Sequence, residues 1–190
     1  GDGSAFLALD GDGRLVRWPV DEIEWRPARL PDLQAIEFYR LAASPAFQTD
    51  RTLFAFGEGV GVLRSRDAGL TWEDTGFPLR VTFGEPPALT VLGPDQALAG
   101  TALGLYRLDG SRWRPVDGEL PRLSAQSLTP GPDGSLRLVL QDESRAEEEG
   151  PWVWMSTDGG RSWQEALPAV PRPAAADDLV LSPALASDGT

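Results

Sequence analysis

Carboxylates dominate the side chains of this chain that could do chemistry, and two of them stand in one repeated pattern. Ser65-Arg66-Asp67-Ala68-Gly69-Leu70-Thr71-Trp72 and Ser156-Thr157-Asp158-Gly159-Gly160-Arg161-Ser162-Trp163 both fit S-x-D-x-G-x-[ST]-W. A second group is the run from Gln141 to Gly150, where Asp142, Glu143, Glu147, Glu148 and Glu149 place five carboxylates close together. Charge runs of this kind are ordinarily solvated loops, and the functional alternative is a lip that attracts a basic partner or a cation. Asp10-Gly11-Asp12-Gly13 starts like a calcium loop, but the later Asp or Asn and the Glu at the twelfth position are missing. An Asp-Gly hairpin turn is therefore favoured there.

Two absences narrow the chemistry. There is no histidine, which removes the usual general base, the Ser-His-Asp and Cys-His arrangements and imidazole metal ligands. There is no cysteine, so neither a disulfide framework nor a thiolate metal site can form. Catalytic, cofactor and metal residues are accordingly left unassigned, and no cofactor is expected. With 17 basic against 29 acidic residues the net charge is -12, which repels a phosphate backbone, so nucleic acid is not an expected partner. No apolar run approaches the roughly 20 residues that span a bilayer, so membrane insertion is not expected.

The elements that carry these residues follow from a repeat. Hydrophobic residues make up 41% of the chain and charged residues 24%, an ordinary globular balance, while 21 glycines and 17 prolines suit short strands and tight turns. Ser44-Pro45-Ala46-Phe47-Gln48-Thr49-Asp50-Arg51-Thr52 returns as Ser182-Pro183-Ala184-Leu185-Ala186-Ser187-Asp188-Gly189-Thr190. Echoes of its last three residues stand at Asp2-Gly3-Ser4 and Asp133-Gly134-Ser135, with a looser version at Asp95. These marks at 2, 50, 95, 133 and 188 define units 2–49, 50–94, 95–132 and 133–187, with a further unit starting at 188–190. Trp25, Trp72, Trp113 and Trp163 keep the same beat, 47, 41 and 50 residues apart. Spacings of this order match a four-stranded propeller blade.

The S-x-D-x-G-x-[ST]-W pattern resembles the Asp-box, or bacterial neuraminidase repeat, of sialidases, sortilin-type receptors, xyloglucanases and photosystem II assembly factors. Two boxes are intact; around Trp113 the pattern shortens to Asp109-Gly110-Ser111-Arg112-Trp113, and around Trp25 only the tryptophan remains. The resemblance implies a β-propeller of four-stranded antiparallel blades, with the box as the hairpin between the third and fourth strands. In that setting Ser65, Asp67, Gly69, Thr71, Trp72, Ser156, Asp158, Gly160, Ser162 and Trp163 are fold staples. The glycine takes φ > 0, the carboxylate accepts backbone N–H bonds worth roughly 1.5–3 kcal/mol each, and the tryptophan buries about 150–250 Å² between blades.

Alternation and apolar runs place the strands. Three fall at 5–9, 14–17 and 23–26; four at 37–43, 53–56, 61–65 and 71–74; four at 88–92, 97–100, 104–108 and 112–116; four at 124–129, 136–141, 152–156 and 162–165; and one at 179–182. Sixteen strands make about four blades. The last strand is suited to complete the first sheet, but the chain opens without methionine and stops in mid-pattern, so a portion of a larger propeller is favoured. Pairing of two chains into one ring is a further expectation.

Function follows from loops rather than from a catalytic group. The resemblance implies binding on the end opposite the boxes, where Asp10, Asp12, Glu58, Glu85 and the five carboxylates at 142–149 would gather. A sialidase would need a tyrosine nucleophile, an acid and an arginine triad; Tyr39 and Tyr106 both fall in core-like alternation, and Arg80 and Arg122 match no such pattern. Trp152 and Trp154 alternate on one strand, as a wedge between blades or as a stacking platform for a sugar. The leading expectation is a non-enzymatic binding or scaffold module with a protein or glycan partner. The alternative is a portion of a glycoside hydrolase, sialidase-like or xyloglucanase-like, whose catalytic residues lie elsewhere.

Overall fold

The computed structural model describes residues 5–19, 24–30, 37–80, 88–116, 120–121, 123–131, 133–141 and 152–167. The expected strand at 179–182, the marks at Asp2 and Asp188, Glu85 and Arg122 lie outside them. Within the described residues the strands form four antiparallel meanders, each pairing neighbours in chain order. Sheet I holds β1 (Ala5–Leu9), β2 (Leu15–Pro19) and β3 (Arg26–Pro27). Sheet II holds β4 (Phe38–Ala43), β5 (Leu53–Gly57), β6 (Gly61–Ser65) and β7 (Glu73–Asp74). Sheet III holds β8 (Ala88–Gly93), β9 (Gln96–Thr101), β10 (Gly104–Asp109) and β11 (Arg112–Pro115). Sheet IV holds β12 (Ser124–Pro130), β13 (Leu136–Gln141), β14 (Trp152–Ser156) and β15 (Gln164–Leu167).

Burial shows why the inner strands read as apolar runs. All five residues of β5 are buried, because sheet II is covered on both faces. Leu53 and Ala55 pack toward sheet I with Leu7, Leu9, Leu15 and Trp72. Phe54 and Phe56 pack toward sheet III with Val91, Ala97, Ala99 and Leu108. A third cluster fills the seam between sheets III and IV, with Leu98, Leu105, Ala125, Leu136, Leu138 and Trp163. Each sheet thus contributes one face to each adjoining core.

The repeated segment 44–52 is the connection between β4 and β5. Its Ser44 hydroxyl donates to Asp50 Oδ2 (2.6 Å), the Thr52 N–H donates to Asp50 Oδ1 (2.8 Å), and the Ser44 N–H donates to the Thr52 carbonyl (3.0 Å). Between them runs a single helical turn, α1 (Phe47–Asp50), that alternation did not foretell. It ends at Arg51, held in the left-handed region at φ 56. The marks at Asp95 and Asp133 occupy the corresponding connections of sheets III and IV, before β9 and β13. The marks therefore sit after the first strand of a sheet.

Two outer strands begin later than alternation predicts, at Glu73 rather than Thr71 and at Gln164 rather than Ser162. The reason is chemical. The N–H groups of Thr71 and Ser162 are claimed by the carboxylates of Asp67 and Asp158, so they cannot join the ladder.

Candidate functional site

The two intact patterns fold into the same hairpin, joining β6 to β7 and β14 to β15. In the first, the Ser65 hydroxyl donates to Asp67 Oδ1 (2.8 Å) and accepts the Gly69 N–H (2.8 Å). Asp67 then takes the Thr71 N–H (2.9 Å) and the Thr71 hydroxyl (2.6 Å). In the second, Ser156, Asp158, Gly160 and Ser162 make the same four bonds at 2.9, 2.8, 2.9 and 2.7 Å. Gly69 and Gly160 lie at φ +82 and +81, where a side chain is strained. The ring N–H of Trp72 donates back to the Gly69 carbonyl (3.2 Å), and that of Trp163 to Gly160 (3.3 Å).

These bonds set the acidities. Burial pushes the Asp67 carboxyl up, but the Thr71 hydroxyl, the Thr71 N–H and the Ser65 hydroxyl outweigh it and leave the group below the usual carboxylate range. For Asp158 the Ser162 N–H is the largest influence, followed by the Ser162 hydroxyl, and the carboxyl is held well below that range. A carboxylate with all these donors stays ionised and makes a poor general acid. The hairpins can pin a turn; they cannot move a proton near neutral pH.

The same hairpins join sheet to sheet. A Cβ on Gly69 would run into Leu7 Cδ2 of sheet I, and one on Gly160 would stand 2.7 Å from Leu98 Cδ1 of sheet III. Trp72 and Trp163 are 6% and 4% exposed in the seams I/II and III/IV. The two hairpins belong to sheets II and IV, so their residues form two separate clusters.

At the other end of the sheets the strand connections carry a second set of carboxylates, with Asp12 paired to Arg14 (3.2 Å). Asp10 accepts the N–H groups of Asp12 (2.9 Å) and Arg14 (2.8 Å), so this stretch is a turn between β1 and β2. Asp12 and Glu37 are exposed and Glu58 half-buried. The Tyr39 hydroxyl donates to Glu58 Oε2 (2.8 Å), where alternation had placed Tyr39 in the core. Burial first, then the Glu58 carboxylate, push the Tyr39 phenol up to about 12. Among the described residues no group of three or more acidic side chains is arranged to hold a metal ion. Asp142, Glu143, Glu147, Glu148 and Glu149 lie outside the described residues.

No family model and no curated protein matches the chain. Solved structures do. The GH74 xyloglucanase from Xanthomonas campestris superposes with a TM-score of 0.57 at 22% identity, over 87% of this chain and 28% of that one. YCF48 bound to D1 peptide superposes at 0.55 and 21% identity, over 86% of this chain and 51% of that one. YCF48 from Cyanidioschyzon merolae gives 0.56 at 18%, over 85% and 52%. The chain has the β-propeller fold. It spans about a quarter of the xyloglucanase's length and about half of each YCF48 chain.

Seen as blades of a propeller, the four marker tryptophans separate. Trp72 and Trp163 fill the seam toward the preceding blade, and half-buried Trp113 does so through a bond from its ring N–H to Thr75 Oγ1 (2.9 Å). Trp25 departs from the expected wedge: it is 46% exposed and rests on Trp18, ring centroids 5.7 Å apart. No preceding blade lies among the described residues to cover it. Trp154 is half-buried against the seam III/IV core.

Sequence reading passed over the arginines that bind blade to blade. Arg64 on β6 donates to Glu73 Oε1 (2.7 Å) and to Asp95 Oδ1 of the next blade (2.7 Å). Arg107 on β10 grips Asp109 through two bonds (2.8 and 2.7 Å) and donates to the Gly159 carbonyl of the following blade. Gly61-Val62-Leu63-Arg64 and Gly104-Leu105-Tyr106-Arg107 share Gly-x-x-Arg, a signal that was available in the sequence.

Proposed function

We propose that this propeller is a binding or scaffold module of the Asp-box type, without a catalytic centre of its own, which presents its acidic loop end to a protein or glycan partner. The observation that carries this reading is the division of carboxylates between the two ends. Asp67 and Asp158 are consumed by their turns, whereas Glu37 stands exposed beside Glu58 at the opposite end and Asp12 is exposed there in a solvated pair with Arg14 (3.2 Å). Exposed carboxylates steer a basic partner, and do so less as salt shortens the Debye length. The acidic run 142–149 extends this end in our reading. The neighbour YCF48 is described with a D1 peptide, which makes a polypeptide the first partner class to test. Pairing of two chains to complete a ring is part of the same proposal.

The test is titration of the full chain with an oligolysine peptide across a salt series, followed by Asp12→Asn with Glu37→Gln. Saturable binding that weakens steeply with salt and drops in the double variant is expected. Salt-independent binding, or none, removes the reading. A second reading, a portion of a glycoside hydrolase, is favoured by the Tyr39–Glu58 pair at 2.8 Å. Against it, a phenol near 12 is a hydrogen-bond donor at neutral pH, and turnover in a glycosidase screen on the chain would be needed to revive it.

A further inference from the structure

The outermost strand of a blade pairs on one side only, and such an edge is commonly blunted by being short, bulged or charged. Among the described residues β3 and β7 are two residues long, and the register of β14 with β15 shifts at Val153. β11 is different. It runs four residues, Arg112–Pro115, in unbroken register with β10, and no described strand pairs with its other edge. The ladder fixes which groups that edge offers. The Val116 N–H donates to the Leu105 carbonyl (2.8 Å), and the turn at Gly110 and Ser111 closes on the pair Asp109 and Arg112. Main-chain groups alternate along an antiparallel strand, so those of Arg112 and Arg114 turn inward to β10 and those of Trp113 turn outward. Pro115 turns out a carbonyl alone, having no N–H.

The side chains alternate too. Trp113 leans on blade II through Thr75, which leaves Arg112 and Arg114 on the opposite face, where Arg107 reaches Gly159 of blade IV. That face carries surplus positive charge in a chain of net charge -12. Asp109 gives both oxygens to Arg107, and Arg161 and Arg114 act on the same carboxylate from farther away. Arg161 belongs to the hairpin of blade IV, and its Nη1 and that of Arg107 stand 3.9 and 3.8 Å from where a Cβ on Gly159 would lie. Arg112 and Arg114 are exposed, and neither guanidinium has an ion-pair partner among the described residues.

We propose that the free edge of β11 takes an extended acidic segment of a protein partner as a fifth strand of blade III. An antiparallel segment exchanges two main-chain bonds with Trp113 and gives an N–H to the Pro115 carbonyl. Its residues on either side of the Trp113 pair then stand opposite Arg112 and Arg114, at non-hydrogen-bonded positions where Cα atoms come within about 4.5 Å. Opposite charges at such positions attract. Alternate residues of a strand are about 6.8 Å apart, so two carboxylates on the incoming strand match the two arginines, and each guanidinium can hold one through two bonds. The segment therefore reads acidic, apolar, acidic, with its central side chain on the face of Trp113. A free anion would use the charges but leave the outward N–H and carbonyl of Trp113 unused, which is why a polypeptide is the better fit.

Fluorescence anisotropy on the full chain with a fluorescein-labelled Ser-Thr-Glu-Val-Glu-Thr-Ser peptide tests this. Saturable binding is expected, weakened about tenfold or more when Gln replaces Glu and by a similar factor in Arg112→Ala/Arg114→Ala. A third peptide with N-methylvaline at its centre keeps both charges but cannot pair with Trp113, and its binding should fall as far. Arg112→Glu/Arg114→Glu should reject the Glu peptide and bind its Lys counterpart, which also certifies that the altered edge is folded. Arg29→Ala on blade I, likewise exposed, should bind like the parent. No saturable binding of the Glu peptide, or equal binding by the parent and the Ala pair, would overturn the site. Equal binding of the N-methylated peptide would overturn strand addition. A parent that is dimeric by light scattering and monomeric as the Ala pair would give the edge to a second copy and overturn the external partner. The oligolysine titration reads a different surface of opposite charge, so either reading can fail alone.

Discussion

The hairpin at 65–72 and the one at 109–112 do the same topological job with different chemistry. The first spends a hydroxyl, a carboxylate and a glycine on a seven-residue connection, 66–72, that presses a tryptophan and a bare backbone against the preceding blade. The second turns on Gly110 (φ +66) and Ser111 alone, with Asp109 set directly across the ladder from Arg112. Its aspartate binds Arg107 rather than the turn, and a Cβ on Gly110 would meet nothing within 4 Å. The seam below it is filled from elsewhere. Phe77 stands edge-on to Phe56, Tyr106 and Trp113, with ring centroids 5.1, 5.4 and 4.9 Å away. A blade can therefore lose its turn motif so long as aromatic volume occupies the wedge, because what the fold needs is a filled seam.

The largest contrast should come from the tryptophans. Trp163→Ala and Trp72→Ala each remove an almost fully buried ring from a mainly aliphatic seam and should cost about 3–5 kcal/mol in urea unfolding. Trp113→Ala, half-buried within an aromatic cluster, should cost less than either. Equal losses at the three sites would erase the distinction between the hairpins. The glycines come next. Gly69→Ala and Gly160→Ala combine left-handed backbone strain with a collision on the neighbouring blade, and about 2–4 kcal/mol is expected. Gly110→Ala meets open space and should lose only the backbone part, about 1–2 kcal/mol.

Acid should sort the aspartates. Asp67 and Asp158 have native acidities lowered by their hydrogen bonds, against an unfolded value of about 3.9. Their contribution is fully present above that value and is lost as the pH falls toward the native one. Denaturation midpoints should be level between about pH 5 and 8 and decline below about pH 4. Asp158→Asn should lower the neutral-pH stability by about 1.5–3 kcal/mol and make the acid decline shallower. A decline unchanged in Asp158→Asn would assign it to other carboxyls. The smallest effect belongs to the exposed ion pairs: Arg66→Ala removes contacts to Asp95 and Glu73 that are about half exposed, and should cost under about 1 kcal/mol.

Local chemistry made much of this legible. The bounds of β1, β6, β13 and β14 follow from apolar runs closed by glycine or charged turns. The two intact hairpins could be read because hydroxyl, carboxylate and glycine act on one another within four residues. The turn at Asp10 was legible for the same reason. The αL residue Arg51 was not, since its carbonyl is held by the Ala68 N–H from a hairpin far along the chain. Nor was the fate of Trp25, whose beat in the sequence is as regular as that of its buried counterparts.

By itself the sequence determined the unit of construction: period, strand order, turn chemistry and the sign of the overall charge are all set within one repeat. Tertiary structure alone decided what the seams contain. Arg64 meets Asp95 and Arg107 meets Gly159 across gaps of 31 and 52 residues, distances over which no local pattern constrains pairing. Which acceptor an arginine at a seam finds, a carboxylate of the next blade for Arg64 or a backbone carbonyl of the next blade for Arg107, depends on how one sheet is laid against the next. That placement is a property of packed surfaces, which no single repeat encodes.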